Sequence, residues 1–438
     1  INIYTDNKNN IQNVSFYNFL SEYSITDMSF KNIIDMNKYF YLDKKHVCII
    51  KKWFIEDLKI NKNICINSNT SFVKNINIIY SINGPMTNGK DIVIRRKMAS
   101  ILAPTEEEEF IIASKGGVKA NRYTMSMQLA LSPGIHYNET YNNENIIREC
   151  RIITADGERV LLSVKEGKSG SIFFSSYLGR IDDKKEKYRK IMPPNYPRKL
   201  HEYKSIGELK DALPKIPPLF VSRNGKKQIK RILQWKSMSI TDDSYLEKSE
   251  LEEILKLFLG HSLPVTDDRS LANRTVKRIG DFLYEILDQA MRDFQNDIWE
   301  RWSFYGSKQE DSRMGEKSGG IESIIPHQFF QSRIDHFFRN SGLFHLLDDT
   351  NPLAEISQKR RLTMRGPGGI RKKILMLPTR DVHITDFGRT CPIETPQGED
   401  LGLNLYLAQD AKIDDAGNIL ARYKECDTDK EVYLAPFN

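Results

Sequence analysis

Apolar residues recur every third or fourth position over one long stretch of the chain. They are Val276, Ile279, Phe282, Leu283, Ile286, Leu287, Ala290, Met291, Phe294, Ile298 and Trp302. That spacing lines one face of a helix, and a helix is predicted from about Asn273 to Trp302. A polar linker with Gly306, Gly315, Gly319 and Gly320 follows. A second helix is predicted from near Pro326, carrying Phe329, Phe330, Ile334, Phe337 and Phe338. These phenylalanines read as core packing rather than a base-stacking platform. Elsewhere the period is two: residues 73–82, 110–112, 123–130, 151–154, 160–164 and 173–178 read as strands. Asp156-Gly157 between two of them is a hairpin signal. Turns are expected at Asn83-Gly84-Pro85, Asn88-Gly89, Gly116-Gly117 and Ser132-Pro133-Gly134. Residues 184–199, rich in lysine and proline, read as a surface excursion. Residues 201–262 give two or three short helical segments, and beyond Gly342 the chain reads as charged loop. Strands and helices together predict a mixed α+β chain.

Length makes this several domains. At roughly 150 residues each, 438 residues correspond to about three. With 39% hydrophobic and 28% charged residues there is apolar material for several cores. No apolar run reaches the ~20 residues of a membrane span, and no export signal is visible. The first residue is Ile1 rather than Met, which leaves an upstream start open. Cys48, Cys65, Cys150, Cys391 and Cys426 are far apart, and none forms a C-x-x-C pair. This argues against a disulfide scaffold and against a zinc site built by this chain alone, and it suits a reducing cytoplasm. The net charge of +7 is mild, so its clustering matters more than its size.

Several tempting motifs fail. Gly84-Pro85-Met86-Thr87-Asn88-Gly89-Lys90 has phosphate-loop spacing, but Asp91 stands where a hydroxyl should hold Mg²⁺. A carboxylate there would face the triphosphate, so a pair of turns is the better reading. There is no H-E-x-x-H helix and no G-x-S-x-G elbow. His46, His136, His201 and His261 are scattered and read as structural. The four glutamates 106–109 read as a solvated face or turn rather than a metal site.

The informative stretch lies further on. Between Ile356 and Arg380 there is no acidic residue, while Lys359, Arg360, Arg361, Arg365, Arg371, Lys372, Lys373 and Arg380 all fall there. Within it Gly366-Pro367-Gly368-Gly369 is too flexible to form an element interior. A glycine loop flanked by cations lets phosphates approach the backbone and releases their counterions. Engaging about six phosphates would give a slope of log K against log salt of roughly −5. An ordinary basic surface loop is the alternative that charge alone leaves open.

Four runs of residues carry a resemblance. They are Asn351-Pro352-Leu353-Ala354-Glu355-Ile356-Ser357-Gln358-Lys359-Arg360-Arg361, then Gly366-Pro367-Gly368-Gly369, then Arg380-Asp381-Val382-His383, then Gly388-Arg389-Thr390-Cys391-Pro392-Ile393-Glu394-Thr395-Pro396. In this order and spacing they closely resemble the β subunit of bacterial RNA polymerase. Weaker likenesses lie upstream, in Gln128-Leu129-Ala130-Leu131-Ser132-Pro133-Gly134 and in residues 271–280. The resemblance covers about three quarters of the chain; residues 1–100 carry no motif of the family.

The resemblance implies an α+β multidomain architecture of protrusion, inserted lobe and fork. The expected limits are 1–147 and 271–340 for the two protrusion segments, 148–270 for the lobe and 341–438 for the fork. The fork loop would lie near the active centre of a DNA-dependent RNA polymerase. Its nucleic-acid contacts would be Arg274, Lys359, Arg360, Arg361, Arg365, Gly366, Gly368, Gly369, Arg371, Lys372, Lys373, Arg380 and Arg389. No catalytic residue is expected here. The family's metal loop of three aspartates sits in the β′ subunit, so Mg²⁺ would be held by that partner. Further partners would be the C-terminal β portion, an initiation or promoter-specificity factor, promoter DNA and nascent RNA, with no membrane. A chain that stops after the fork is either a fragment or one product of a split β gene. The split enzyme of a large bacteriophage, working in the bacterial cytoplasm, is expected in preference to a plastid or cellular fragment. The alternative is a non-catalytic nucleic-acid-binding or assembly protein reusing the fold.

Departures from the family are informative. Asp348 and Arg361 match its rifamycin pocket, but His345 replaces Gln, Gln358 replaces His and Thr363 replaces Ser. Unpaired buried polar groups cost about 1–3 kcal/mol each, so weak rifamycin binding is expected. Arg269 and Ser270 depart from an acidic position near Arg274, which puts a guanine preference in doubt.

Overall fold

A computed structural model describes residues 11–22, 27–43, 46–57, 61–83, 91–142, 145–155, 159–167, 172–179, 205, 219–233, 244–310, 321–370, 377–426 and 430–437. The fold is mixed α+β, with several antiparallel sheets and helices. It divides into two compact units, each made of two chain segments. One is Ile1–Met127 with Lys277–Arg361, the other Gln128–Val276 with Leu362–Asn438.

The first unit is built on an antiparallel sheet in the order Tyr39–Tyr41, Val47–Asp57, Val73–Asn83, Ile92–Leu102. In Val73–Asn83 the apolar face Ile76, Ile78, Tyr80 and Ile82 is buried as expected, but Asn75, Asn77 and Ser81 on the other face are buried too. The long helix Ile279–Glu310 packs into the same core. Phe282, Leu283, Leu287, Ala290, Met291, Phe294, Ile298 and Trp302 are buried along one face, as their spacing predicts. The Phe294 ring lies 5.6 Å from Tyr80 and 6.3 Å from Phe40. Each such side chain contributes about 1.5–3 kcal/mol by leaving water. The phenylalanines of helix Gln331–Asn340 are core, as expected: Phe337 sits 5.2 Å from Phe282, and Phe338 4.7 Å from Phe344. A small sheet of Phe344–Leu346, Asn121–Met125 and Phe110–Ile112 completes this unit.

In the second unit a meander runs Ile172–Gly179, Arg159–Gly167, Asn145–Ile153, Gly134–Asn142. The pairing of Arg159 with Ile153 is the hairpin expected around Asp156-Gly157, whose turn lies outside the described residues. Helices Ser222–Leu233 and Lys248–Leu259 bury Ile229, Leu233, Leu251, Ile254, Leu255 and Phe258 against Ile135, Tyr137, Ile152 and Leu162. Inside that layer the Lys226 ammonium is paired with the Glu250 carboxylate, both buried. Apart from boundary residues, this unit also holds a sheet ordered Arg274–Lys277, Met127–Leu131, Arg361–Thr363, Asn404–Tyr406. A second sheet is formed by Lys412–Ile413, Ile419–Lys424 and Glu431–Leu434.

Four expectations are corrected. The long helix starts at Ile279, not Asn273, because β-branched Thr275 and Val276 belong to the strand Arg274–Lys277, where Val276 N–H donates to Gly417 O at 2.8 Å. An Asp281 carboxylate accepting from Arg278 N–H, 2.8 Å, marks the entry to the helix. The helix also runs on through Gly306 to Glu310. The second helix begins at Gln331, since Gln328 and Phe330 N–H groups donate instead to Lys97 O and Met98 O. The stretch 123–130 is two strands, Asn121–Met125 and Met127–Leu131, broken at Ser126 and belonging to different sheets. The loop-like reading beyond Gly342 missed a short helix, Pro352–Lys359. The phosphate-loop decoy at residues 84–90, the excursion 184–199 and His201 lie outside the described residues.

Candidate nucleic-acid interface

In the first unit the helix Pro352–Lys359 starts the basic segment. Asn351 caps it by accepting from Ala354 N–H at 2.8 Å, and proline opens the first turn. Glu355 in that turn and Lys359 in the last complement the helix dipole. None of its residues is buried, and Leu353 is 76% exposed. Lys359 is not simply offered to solvent: its ammonium donates to Glu107 O at 2.6 Å and to Glu355 at 2.5 Å. Arg360 closes the helix, its N–H directed at Ile356 O and Ser357 O. Arg361 is half-buried, with Nε enclosed and without a hydrogen-bond partner among the described residues.

Of the glutamates 106–109, Glu106 and Glu107 are exposed in a turn, as expected, but Glu108 and Glu109 are buried. Glu109 is buried, accepting from Arg122 Nε at 3.0 Å and Nη2 at 2.6 Å, with Lys62 at 2.9 Å. Burial alone would raise this carboxyl, but hydrogen bonds and charge from Arg122 and Lys62 outweigh it and hold it low. Glu108, in a left-handed conformation (φ +60°), is also enclosed and accepts from Gln12 and Asn13 N–H at the start of helix Ile11–Leu20. Burial pushes it up to about 7, against the downward pull of those amides.

In the second unit the glycine turn lies as its sequence demands. Gly366 and Gly368 have φ of +106° and +67°, which side-chain-bearing residues rarely adopt. Gly369 N–H donates to Gly366 O at 3.0 Å, and Ile370 N–H to Met364 O at 2.9 Å. Arg365, just before the turn, forms an ion pair with Asp400 and donates to Glu399 O at 3.3 Å. Arg380 donates to the same Glu399 O at 2.8 Å and to Leu401 O at 3.0 Å. Arg371, Lys372 and Lys373 lie outside the described residues.

Two expected phosphate ligands have internal partners. Arg274 is buried, donating to Asp268 O at 2.7 Å and Leu129 O at 3.2 Å. Burial lowers it to about 10, so it stays charged at neutral pH. Arg389 is buried and donates to the carbonyls of Ile419 (3.0 Å), Leu434 (3.0 Å) and Thr385 (3.3 Å). In this conformation neither guanidinium is presented at the surface; both are buried and held by main-chain carbonyls. Arg269, noted only as a departure from the family, makes a two-pronged pair with buried Asp386 and donates to Asp381 O.

The counterparts of the rifamycin pocket divide between the units. In the first, Gln358 Oε1 accepts from Asp348 N–H at 2.7 Å and its amide donates to Leu346 O at 2.9 Å. Asp348 accepts from Thr350, which holds its carboxyl below the usual range. Burial, then the charge of Arg361, lowers His345, so this imidazole is neutral at pH 7. Thr363, in the second unit, accepts from Arg365 N–H at 3.1 Å. Among the described residues no group of three His, Cys, Asp or Glu could hold a metal, and no helix is long and apolar enough to cross a membrane.

Comparison with known proteins places this segment. Residues 345–413, which hold the capped helix, the glycine turn and both clasping arginines, match the family model described as RNA polymerase Rpb2, domain 3. Among curated proteins, the chain is 38% identical over 157 residues to the DNA-directed RNA polymerase subunit beta of Mycoplasmopsis pulmonis, covering 36% of this chain and 12% of that protein. The subunit beta of Rickettsia massiliae is 34% identical over 180 residues, 39% of this chain and 12% of the relative. That of Leptospira biflexa is 27% identical over 309 residues, 68% of this chain and 24% of the relative. The chain thus spans a quarter or less of the curated relatives it matches. These likenesses support kinship with the β subunit of multisubunit RNA polymerases.

Proposed function

We propose that this chain is a subunit of a DNA-dependent RNA polymerase and helps to form its active-site channel. The observation that carries the reading is the coincidence of two things in one segment. The match to RNA polymerase Rpb2, domain 3 falls on the acid-free basic run and its glycine turn.

In this reading 1–147 and 271–340 form the protrusion, 148–270 the lobe and 341–438 the fork. Mg²⁺, held by the β′ partner, would stabilise charge in phosphoryl transfer from nucleoside triphosphates. This chain positions and screens: Arg360, Arg361, Arg371, Lys372 and Lys373 face the DNA and RNA backbones. Lys359, Arg360, Arg365 and Arg380 already have partners within the protein, so they shape the segment as much as they add charge to it. The salt slope is accordingly shallower than six phosphates would give. The remaining partners are a C-terminal β portion, a promoter-specificity factor, promoter DNA and nascent RNA. We assign the chain to the split β of a large bacteriophage, acting in the cytoplasm of an infected bacterium. Its asparagine- and isoleucine-rich first 90 residues fit an AT-rich genome.

The test is to purify the chain with its natural partners and assay Mg²⁺-dependent RNA synthesis on a DNA template. Co-purification with β- and β′-type chains, and loss of synthesis on changing Arg371, Lys372 and Lys373 to Ala, support the reading. A monomer with no such partners, or full synthesis by the triple variant, contradicts it.

A further inference from the structure

Why the turn 366–369 holds the shape it does traces to one side chain far away in sequence. Gln128 is buried at the start of the strand Met127–Leu131. Its Nε2 donates to two carbonyls of the turn region, Arg365 O and Pro367 O, both at 2.9 Å. The carbonyl between them, Gly366 O, accepts from Gly369 N–H at 3.0 Å. Three consecutive carbonyl oxygens are therefore engaged within the protein, while Pro367 and Gly368 are exposed. Gly369 allows the amide to come this close. A Cβ there would lie 2.5 Å from Met364 O and 2.9 Å from Gln128 Nε2.

A carbonyl oxygen is the negative end of the peptide dipole, and one pointing outward repels a phosphate. A backbone that phosphates approach closely needs those oxygens turned away. We propose that Gln128 is a positioning residue for the nucleic-acid backbone. By holding the carbonyls of Arg365 and Pro367 it keeps the turn's negative ends off the face that a phosphate approaches. This rests on the polymerase reading above and adds to it a residue that bears no charge and touches no nucleic acid. The amide is required because it offers two N–H donors to two acceptors; a carboxylate or thioether of similar length offers none.

The experiment measures binding of an RNA–DNA hybrid oligonucleotide to the full chain by fluorescence anisotropy across a salt series. Hydrogen exchange of the turn amides is followed in parallel. Gln128→Met is expected to weaken binding about tenfold, the scale of one hydrogen bond. The slope against log salt should stay unchanged, because every cation remains. Exchange at Gly369 and Ile370 should quicken. Gly369→Ala, which displaces the amide from the other side, should do the same. In the wild-type chain, hybrid binding should slow exchange at these amides, a readout that needs no variant to fold. Wild-type affinity in either variant, or no protection of the turn in a bound wild-type chain, overturns the role of Gln128 alone. A wild-type chain with no affinity for the hybrid overturns the interface reading, and this inference with it.

Discussion

The layer of sheet and helices spanning Gly134–Asn142 to Lys248–Leu259 and the segment 345–402 are stabilised in opposite ways. The first is an apolar core, with Ile152, Leu162, Ile229, Ile254 and Phe258 buried together and one ion pair, Lys226–Glu250, enclosed among them. The second contains a helix with no buried residue and, in the other unit, a turn with two positive-φ glycines, around which the Gln128 and Arg380 side chains donate to carbonyls. One region gains from removing apolar surface from water, the other from directed hydrogen bonds. A core so built tolerates no unpaired charge. A segment so built can leave many of its side chains exposed or half-exposed and still keep its shape, which suits a surface that meets another polyelectrolyte.

The contrast can be broken most severely at the buried pair. Lys226→Met leaves the Glu250 carboxylate enclosed without its cation and should destabilise by about 3–5 kcal/mol in urea unfolding. Lys226→Met with Glu250→Leu should recover most of that loss, because no charge is then stranded.

A smaller effect is expected at Glu108, as a dependence on pH. Its folded value of about 7 lies above the ordinary 4.5, so the enclosed neutral form favours folding at low pH. That contribution is complete below the unfolded value and is lost as pH rises through about 7. The loss is at most about 3–4 kcal/mol at 1.36 kcal/mol per unit. Glu108→Gln keeps an acceptor for Gln12 and Asn13 N–H and should flatten the stability profile between these two values. An unchanged profile in the variant contradicts the assignment.

Next in size is Gly402, at φ +70°, where a Cβ would run into the Arg380 main chain. Gly402→Ala should cost about 1–3 kcal/mol, the range for strained backbone. It should also loosen the clasp on Glu399 O, seen as faster tryptic cleavage after Arg380.

The smallest effect on folding belongs to the cations. Changing Arg371, Lys372 and Lys373 to Ala should move stability by no more than about 0.5 kcal/mol. The same change should reduce the magnitude of the salt slope by roughly 2–3. A large loss of stability with an unchanged slope would reverse the contrast between the two regions.

Much of the core was legible because its forces are periodic. The helix face from Ile279 to Trp302, the pairing of strands Asn145–Ile153 and Arg159–Gly167, and the phenylalanines as packing all follow from local spacing. The start of the long helix was not, because Val276 is drawn into a strand by Gly417, which lies far along the chain. Nor was the break at Ser126, since alternation continues while the chain changes sheet. In the basic segment the glycine turn was legible, as no other element accommodates Gly366-Pro367-Gly368-Gly369. The inward roles of Arg274 and Arg389 were not: residue type announces a cation, but only the fold brings Leu129 O or Leu434 O beside it. Gln128 escaped for the same reason, its partner carbonyls lying 237 and 239 residues away.

The central claim is that the turn 366–369 meets nucleic acid in a working polymerase. It is tested most directly by placing a photo-crosslinking amino acid at exposed Pro367 in the assembled complex, halted on a DNA template with labelled RNA. Crosslinks from this position to RNA or template DNA, dependent on light and on nucleotide addition, are the expected result. Crosslinks only to protein, in a complex that still synthesises RNA, would contradict the account.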